Sequence, residues 1–261
     1  MSLVESSNDL VLGNGKLIAE KMSVPSPGWR LPRVRLRALL EKSVASGTST
    51  IISGRAGTGK TALAEDFARH CGRPVAWYKV DAPEGEIESF FQYLIASIRK
   101  ERRHFGSKAL IPAISTLERD QIPLLAEAFV YELGEGESVP LLIVIDDLHL
   151  VCDSEWLVPF FRRLLPLLPS EVHVLITSRT MPPAPLWRMR SKQTLFVIEE
   201  GTLAFTRHEA IQLFERYGLS SEQASVALDH THGRAAALTR FAAKLKERIV
   251  FEDLCLQDCP V

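Results

Sequence analysis

Eight residues, Gly54-Arg55-Ala56-Gly57-Thr58-Gly59-Lys60-Thr61, stand between a short β-branched run, Thr48 to Ser53, and a helical pattern carried by Leu63, Phe67 and Cys71. Strand, glycine-rich loop and helix in that order are the context a phosphate-binding loop needs, and the Gly-Lys-Thr ending completes its pattern. Glycines let successive backbone N–H groups turn inward around a phosphate, and the helix N-terminus adds a favourable dipole. In this reading Gly54, Arg55, Ala56, Gly57, Thr58 and Gly59 form the cradle, Lys60 supplies a cation for the terminal phosphates and Thr61 offers a hydroxyl to magnesium.

The rest of the chain has to supply a fold that presents such a loop. Four further β-like runs occur at Val75 to Val80, Leu141 to Ile145, Val172 to Thr177 and Thr194 to Ile198, several of them continuously apolar, as in strands buried on both faces. Between them lie helical patterns with apolar residues on one face: Ile87, Phe91, Leu94 and Ile98; Ile122, Leu125, Phe129 and Leu133; Leu157, Phe160, Phe161, Leu164 and Leu168. Strands alternating with helices imply right-handed crossovers and a mostly parallel five-stranded sheet between helices, with ligands at the carboxyl ends of the strands. The fold class expected is therefore α/β, a P-loop NTPase followed by a small helical subdomain.

The third run ends in Asp146-Asp147, so two carboxylates emerge at the ligand edge, as in a Walker B site. Asp146 suits magnesium, held through a water, and Asp147 suits the orientation or deprotonation of a water attacking a γ-phosphate. The fourth run ends in Thr177-Ser178-Arg179, which puts a hydroxyl and a guanidinium at the same edge, where Arg179 can sense the phosphate. His149 is a lone histidine in the following loop and is read as structural. Met181 to Lys192, with Pro182, Pro183, Pro185, Trp187, Arg188 and Arg190, is read as a stiff, solvated surface loop.

These patterns divide the chain into four segments. Residues 1–28, ending in Pro25-Ser26-Pro27-Gly28, form a flexible lead-in, with order starting near Trp29; 29–203 form the NTPase core. A helical subdomain at 204–250 opens with a capping box, Thr206 and Glu209, and is divided near Gly218 and Ser220. Residues 251–261 are a tail. Cys71, Cys152, Cys255 and Cys259 are too few and too scattered for a disulfide framework. The apolar runs are far shorter than a membrane span, and no signal peptide opens the chain, which together point to the cytoplasm and away from a membrane. Thirty-one basic against 32 acidic side chains leave a net charge of −1, so no bulk positive field is available for nucleic acid.

From about Leu31 to Leu245 the chain resembles the signal-transducing STAND ATPases, in the MalT-like branch of large ATP-binding LuxR-type transcriptional regulators. The resemblance rests on Leu31-Pro32-Arg33-Val34-Arg35-Leu36, the phosphate loop and Val144-Ile145-Asp146-Asp147-Leu148-His149-Leu150. It continues in Ile176-Thr177-Ser178-Arg179, in Leu203-Ala204-Phe205-Thr206 with Glu209-Ala210, and in Gly233-Arg234-Ala235-Ala236-Ala237-Leu238. It implies ATP and ADP with Mg2+ as cofactors, an adenine enclosed by Arg33 and its neighbours, phosphates read by Arg179, and a glycine-led motif at Gly233 closing over the nucleotide. Gly233-Arg234-Ala235 lacks the proline that contacts the diphosphate in many relatives.

The resemblance further implies a slowly hydrolysing switch, closed with ADP, that self-associates in the ATP state. Sensor regions and a terminal DNA-binding helix-turn-helix are not part of this chain, which implies either an N-terminal fragment or a truncated relative, with no direct DNA binding of its own. Two other readings stay open: an AAA+-like loader or helper ATPase, and a non-hydrolysing nucleotide-gated interaction module.

Overall fold

A computed structural model describes residues 17–28, 31–82, 86–106, 119–135, 139–181, 183–192 and 195–257, together with Leu110 and Ile114. Trp29, Pro182, Thr194 and Cys259 lie outside these residues, as do the side chains of Trp187, Lys192 and Cys255.

Five strands, β1 (Ser49–Ser53), β2 (Val75–Lys79), β3 (Leu141–Asp146), β4 (Val172–Ser178) and β5 (Phe196–Ile198), form one sheet in the order β2-β3-β4-β1-β5. Every pairing is parallel. This order inserts β4 between β1, which leads into the phosphate loop, and β3, which ends in the paired aspartates.

Helices cover both faces, which is why the strands read as unbroken apolar runs rather than as alternation. On one face α1 (Val34–Ser46) and α2 (Lys60–His70) bury Leu36, Leu40, Leu63 and Phe67 against Trp77, Leu142, Val144 and Leu175. On the other, α3 (Ile87–Arg99), α4 (Ile122–Gly134) and α5 (Leu157–Leu164) bury Phe90, Phe91, Phe129 and Phe160 against Tyr78, Ile143, Ile145 and Ile176. Successive residues of β3 thus face opposite layers. The helix α1 was not among the expected elements, although Leu36, Leu40 and Ser43 already recur at helical spacing and are its buried positions.

Two expectations are corrected. Before Trp29 the chain is anchored rather than loose over its described part: Ala19–Met22 form a 3-10 turn, Met22 is buried, and the Lys100 ammonium donates to the Met22 carbonyl at 2.6 Å. The segment after Met181 is not a solvated loop, because Ala184–Trp187 (α6) and the 3-10 turn Arg188–Lys192 bury Leu186 and Met189 against the aromatic core. Those apolar residues, three apart, give the segment a core-facing side that its prolines and arginines mask in the sequence.

A short helix, α7 (Glu200–Leu203), leads out of β5 into α8 (Arg207–Arg216), α9 (Ser221–Thr231) and α10 (Ala235–Gln257), so the last helix continues past residue 250. Thr206 and Glu209 make the expected capping box, and Ser220 with Gln223 makes a second one at the start of α9. The three helices share a small core of Phe205, Leu213, Phe214, Ala224 and Leu238, into which Leu31, from the segment before α1, is inserted.

One buried polar link sits at the opposite, amino-terminal edge of the sheet. His173 on β4 places Nδ1 2.9 Å from the Gly47 carbonyl and Nε2 2.9 Å from the Thr50 hydroxyl, which also contacts Ser43. Burial pushes this imidazole down to about 4, so it is neutral, with Nδ1–H donating. The unfolded chain binds a proton near pH 6.5 that the folded chain refuses until about pH 4, so stability must fall as pH drops through that window. The expected loss from pH 7.5 to pH 5 is on the order of 2 kcal/mol from this residue. Urea midpoints should drop less over that interval in His173→Gln than in the parent; equal drops would contradict the assignment.

Candidate nucleotide site

The phosphate loop is held from several directions. Gly57 and Gly59 take left-handed backbone angles (φ 78° and 93°), which side-chain-bearing residues rarely adopt. Lys60 is buried and its ammonium donates to the Gly54 and Arg55 carbonyls at 2.6 and 3.0 Å. Burial lowers its pKa, and the charges of Asp147, Asp146 and Glu200 work against that shift while Arg179 adds to it. The Thr58 hydroxyl donates to the Arg55 carbonyl at 2.9 Å. From the helical subdomain, the Arg234 guanidinium donates to the Ala56 carbonyl and the Ala236 N–H to the Gly57 carbonyl at 2.9 Å. Four consecutive carbonyls of the loop are therefore tied down, two of them by α10 and the residue before it.

Beside the loop, Asp146 is completely buried at the end of β3. Its Oδ1 accepts from the Thr61 hydroxyl at 2.9 Å and from the Thr177 hydroxyl at 2.6 Å. Thr177 in turn accepts the Asp147 N–H at 2.9 Å. One threonine of β4 thus joins both aspartates, and Thr61 joins them to α2. Burial raises the pKa of Asp146, the two threonine hydroxyls oppose that rise, and the neighbouring Asp147 carboxylate adds to it. Asp146 Oδ2 is buried without a hydrogen-bond partner. An unpaired carboxylate oxygen beside a threonine hydroxyl and a phosphate loop fits a divalent cation, for which magnesium commonly uses one or two carboxylates together with substrate phosphates.

Asp147 takes left-handed backbone angles (φ 61°), a conformation uncommon for a residue with a side chain. This turns its carboxylate toward His149, whose Nδ1 lies 3.6 Å from Asp147 Oδ1. Burial pushes the His149 imidazole below the ordinary histidine range, with Asp147 pulling upward and Arg179 and Lys60 pushing down. Arg179 itself is exposed just beyond β4.

A cavity of about 580 Å³ opens from Gly57 and Gly59 and runs between Leu31, Leu36, Leu63 and Phe205. Arg33 lies on its wall, with its guanidinium engaged by the subdomain. It pairs with Glu209 at 3.0 Å, donates to the Leu203 and Ala204 carbonyls at 3.1 and 3.0 Å, and stacks 3.9 Å over the Phe205 ring. Gly233 does not reach the cavity wall, which Ala235 and Ala236 form there. The reason for glycine at 233 is a close backbone approach: a Cβ would lie 2.7 Å from the Phe205 carbonyl oxygen, at φ 71°.

Arg55 likewise turns away from the cradle. Its N–H and guanidinium both bind the Glu200 carboxylate, at 2.8 and 2.7 Å. Glu200, Arg234 and Thr177 as the bridge between the aspartates are contributions that motif reading missed. Thr177 had a signal, a hydroxyl residue at the carboxyl end of the strand next to both motifs; Glu200 and Arg234 meet the loop only through the tertiary fold.

The strand order, the tied loop and the buried aspartate place the chain among the P-loop NTPases. A model of the AAA ATPase domain matches residues 31–177, more than half of the sequence. The HTH-type transcriptional regulator MalT of Yersinia enterocolitica is 31% identical over 237 residues, 88% of this chain and 26% of that protein. MalT of Serratia proteamaculans is 29% identical over 238 residues, 88% of this chain and 25% of that protein. A STAND protein with a tetratricopeptide repeat sensor from Pyrococcus horikoshii shares the fold, with a TM-score of 0.56 and 20% identity, covering 83% of this chain and 30% of that one. The chain belongs to the AAA ATPase domain family, and the resemblance to a MalT-like STAND ATPase domain is borne out. It spans about a quarter of the length of the MalT relatives it matches.

Among the described residues, Arg33 and Glu209 form a charged link between core and subdomain, both side chains being about nine-tenths buried. Burial alone would raise the Glu209 pKa, but hydrogen bonds from Arg33 and the Thr206 N–H, with the charges of Arg33 and Arg35, outweigh it and hold the carboxyl at about 2. The stabilisation is complete above the unfolded-state value near 4.5 and is lost only as pH falls through about 2, so the link is intact over the physiological range. Glu209→Ala leaves the Arg33 charge buried and unpaired, with an expected loss of about 3 kcal/mol in urea denaturation. A loss of less than about 0.5 kcal/mol, the scale of ordinary surface changes, would show that the pair does not hold the subdomain.

Proposed function

We propose that this chain is an ATP- and ADP-binding, slowly hydrolysing switch domain of a cytoplasmic transcriptional regulator, whose bound nucleotide controls subdomain closure and self-association. The observation that carries the reading is the apolar cavity that starts at Gly57 and Gly59 and is walled by Leu31, Leu36 and Phe205. A base in that cavity leaves its phosphates at the loop, next to Lys60, Thr61 and the two aspartates.

Each residue then has a role. Backbone amides of 54–61 and the Lys60 ammonium bind the phosphates. Thr61 and Asp146 hold magnesium, which when bound neutralises phosphate charge. Asp147 orients the attacking water and takes its proton, and Arg179 stabilises charge on the terminal phosphate. Support for the switch comes from the contacts that any opening of the subdomain has to break, namely Arg33 to Glu209, Arg234 to Ala56 and Ala236 to Gly57. Transcription itself is assigned to a larger protein of the kind the MalT relatives represent, and self-association to the ATP state.

Two substitutions test the site. Lys60→Ala is expected to abolish ADP and ATP binding in calorimetry. Asp147→Asn is expected to bind both nucleotides with near-parental affinity and to lose hydrolysis by a factor of about 100 or more. Parental turnover in Asp147→Asn would remove that carboxylate from the mechanism.

A further inference from the structure

The phosphate loop already carries an anion supplied by the protein. Glu200, the first residue of α7, places Oε2 2.8 Å from the Arg55 N–H, and Oε1 2.8 and 2.7 Å from Arg55 Nε and Nη2. One carboxylate thus takes an amide of the cradle together with a guanidinium, donors that serve carboxylates and phosphates alike. Gly54 leaves room for this approach, since a Cβ there would lie 3.2 Å from Glu200 Cβ. Hydrogen bonds from the Arg55 side chain and backbone, helped by the charges of Arg55 and Arg234, hold the Glu200 carboxyl below the ordinary glutamate range. A fixed negative charge on a loop that binds phosphates works against them. As a tether it adds little, because the Arg55 side chain is 76% exposed and solvent screens the pair.

Lys60 and the cavity show which end of a nucleotide lies nearest to this pair. The cavity opens from Gly57 and Gly59, and the Lys60 ammonium, assigned to the terminal phosphates, donates to the Gly54 and Arg55 carbonyls at 2.6 and 3.0 Å. Phosphates that leave the cavity at Gly57 and run toward Lys60 therefore end beside the Gly54 and Arg55 backbone, where Glu200 is docked. The Glu200 charge acts on Lys60 as well. The phosphate that distinguishes ATP from ADP is the last in that run.

We infer, on the nucleotide site proposed above, that Arg55 and Glu200 regulate it by discriminating between ADP and ATP: Glu200 holds the Arg55 guanidinium when ADP is bound, and the terminal phosphate of ATP takes it over. That phosphate carries more negative charge than a carboxylate and offers its oxygens to the same fork, so the exchange is favoured by the third phosphate. Glu200 is then released at the head of α7. The Thr202 and Leu203 carbonyls of this short helix are held by Arg35 and Arg33, and the chain runs from it into α8. The exchange thus acts on the segment through which Arg33 fastens the subdomain.

The ratio of two affinities reads this out. Dissociation constants of ADP and of the non-hydrolysable β,γ-imido analogue of ATP are measured by calorimetry with Mg2+ on the full chain. Glu200→Gln keeps the side chain's shape, removes its charge and frees Arg55, and is expected to shift the ratio about tenfold toward the ATP analogue. Arg55→Ala is expected to shift it about tenfold toward ADP. In Arg55→Ala/Glu200→Gln the glutamine should favour the analogue by less than about threefold, because it acts through the guanidinium. A purely structural tether gives a different pattern: each variant changes both affinities by the same factor, and the ratio stays within about twofold of the parent. That result overturns the discrimination and leaves the nucleotide site standing, as does a Glu200→Gln gain that persists undiminished in the double variant. A parent that binds neither ADP nor the analogue refutes the nucleotide site and the discrimination with it. Thermal midpoints separate misfolding from altered binding, and Glu200→Gln keeps the test decisive if Arg55→Ala does not fold.

Discussion

Asp146 is a fully buried carboxylate on which three separate elements converge: β3, which carries it, α2 through the Thr61 hydroxyl, and β4 through the Thr177 hydroxyl. A buried charge is tolerated only where donors compensate it, so this arrangement constrains the surrounding backbone. Moving β4 by one residue would replace Thr177 with an apolar or differently directed side chain and leave Asp146 Oδ1 short of a donor. The register Ile145 to Ile176 across β3 and β4, and Ser53 to Ser178 across β1 and β4, brings the phosphate loop and the aspartates to one edge. What remains, the unpartnered Oδ2, is the one part of the carboxylate that the protein leaves for a ligand.

The helical subdomain is attached to this edge by a different kind of interaction. Leu31 enters its apolar core, while Arg33, two residues along, uses one guanidinium to bind Glu209, two carbonyls and an aromatic face. Arg234 and Ala236 then reach the loop carbonyls directly. The subdomain is therefore tied to the backbone of the phosphate loop itself, at the Ala56 and Gly57 carbonyls. In the proposed function, this attachment is what would couple a phosphate entering the loop to a movement of α10.

Much of this was legible in the sequence because the phosphate loop and the aspartates are local patterns with strict chemistry. Apolar runs at 141–145 and 172–177 gave the central strands because burial on both faces leaves no polar positions. Thr206 and Glu209 gave a helix start through adjacent residues. Less legible were roles created by distance in the chain. The Arg33 guanidinium meets a partner 176 residues away, and Arg55 meets Glu200 across 145 residues, so neither side chain could be assigned from its neighbours. At Gly233 the glycine is required by the close approach of the Phe205 backbone, which only the fold reveals.

That the cavity and the loop form one nucleotide site, in a domain that rests with nucleotide bound, is open to a direct test. The purified protein is denatured, the nucleotide released is identified and counted, and the stripped protein is titrated with ADP and ATP in the presence of magnesium. ADP at close to one per chain and saturable binding of both nucleotides are the expected results. Protein that releases no nucleotide and binds neither would contradict a nucleotide site here.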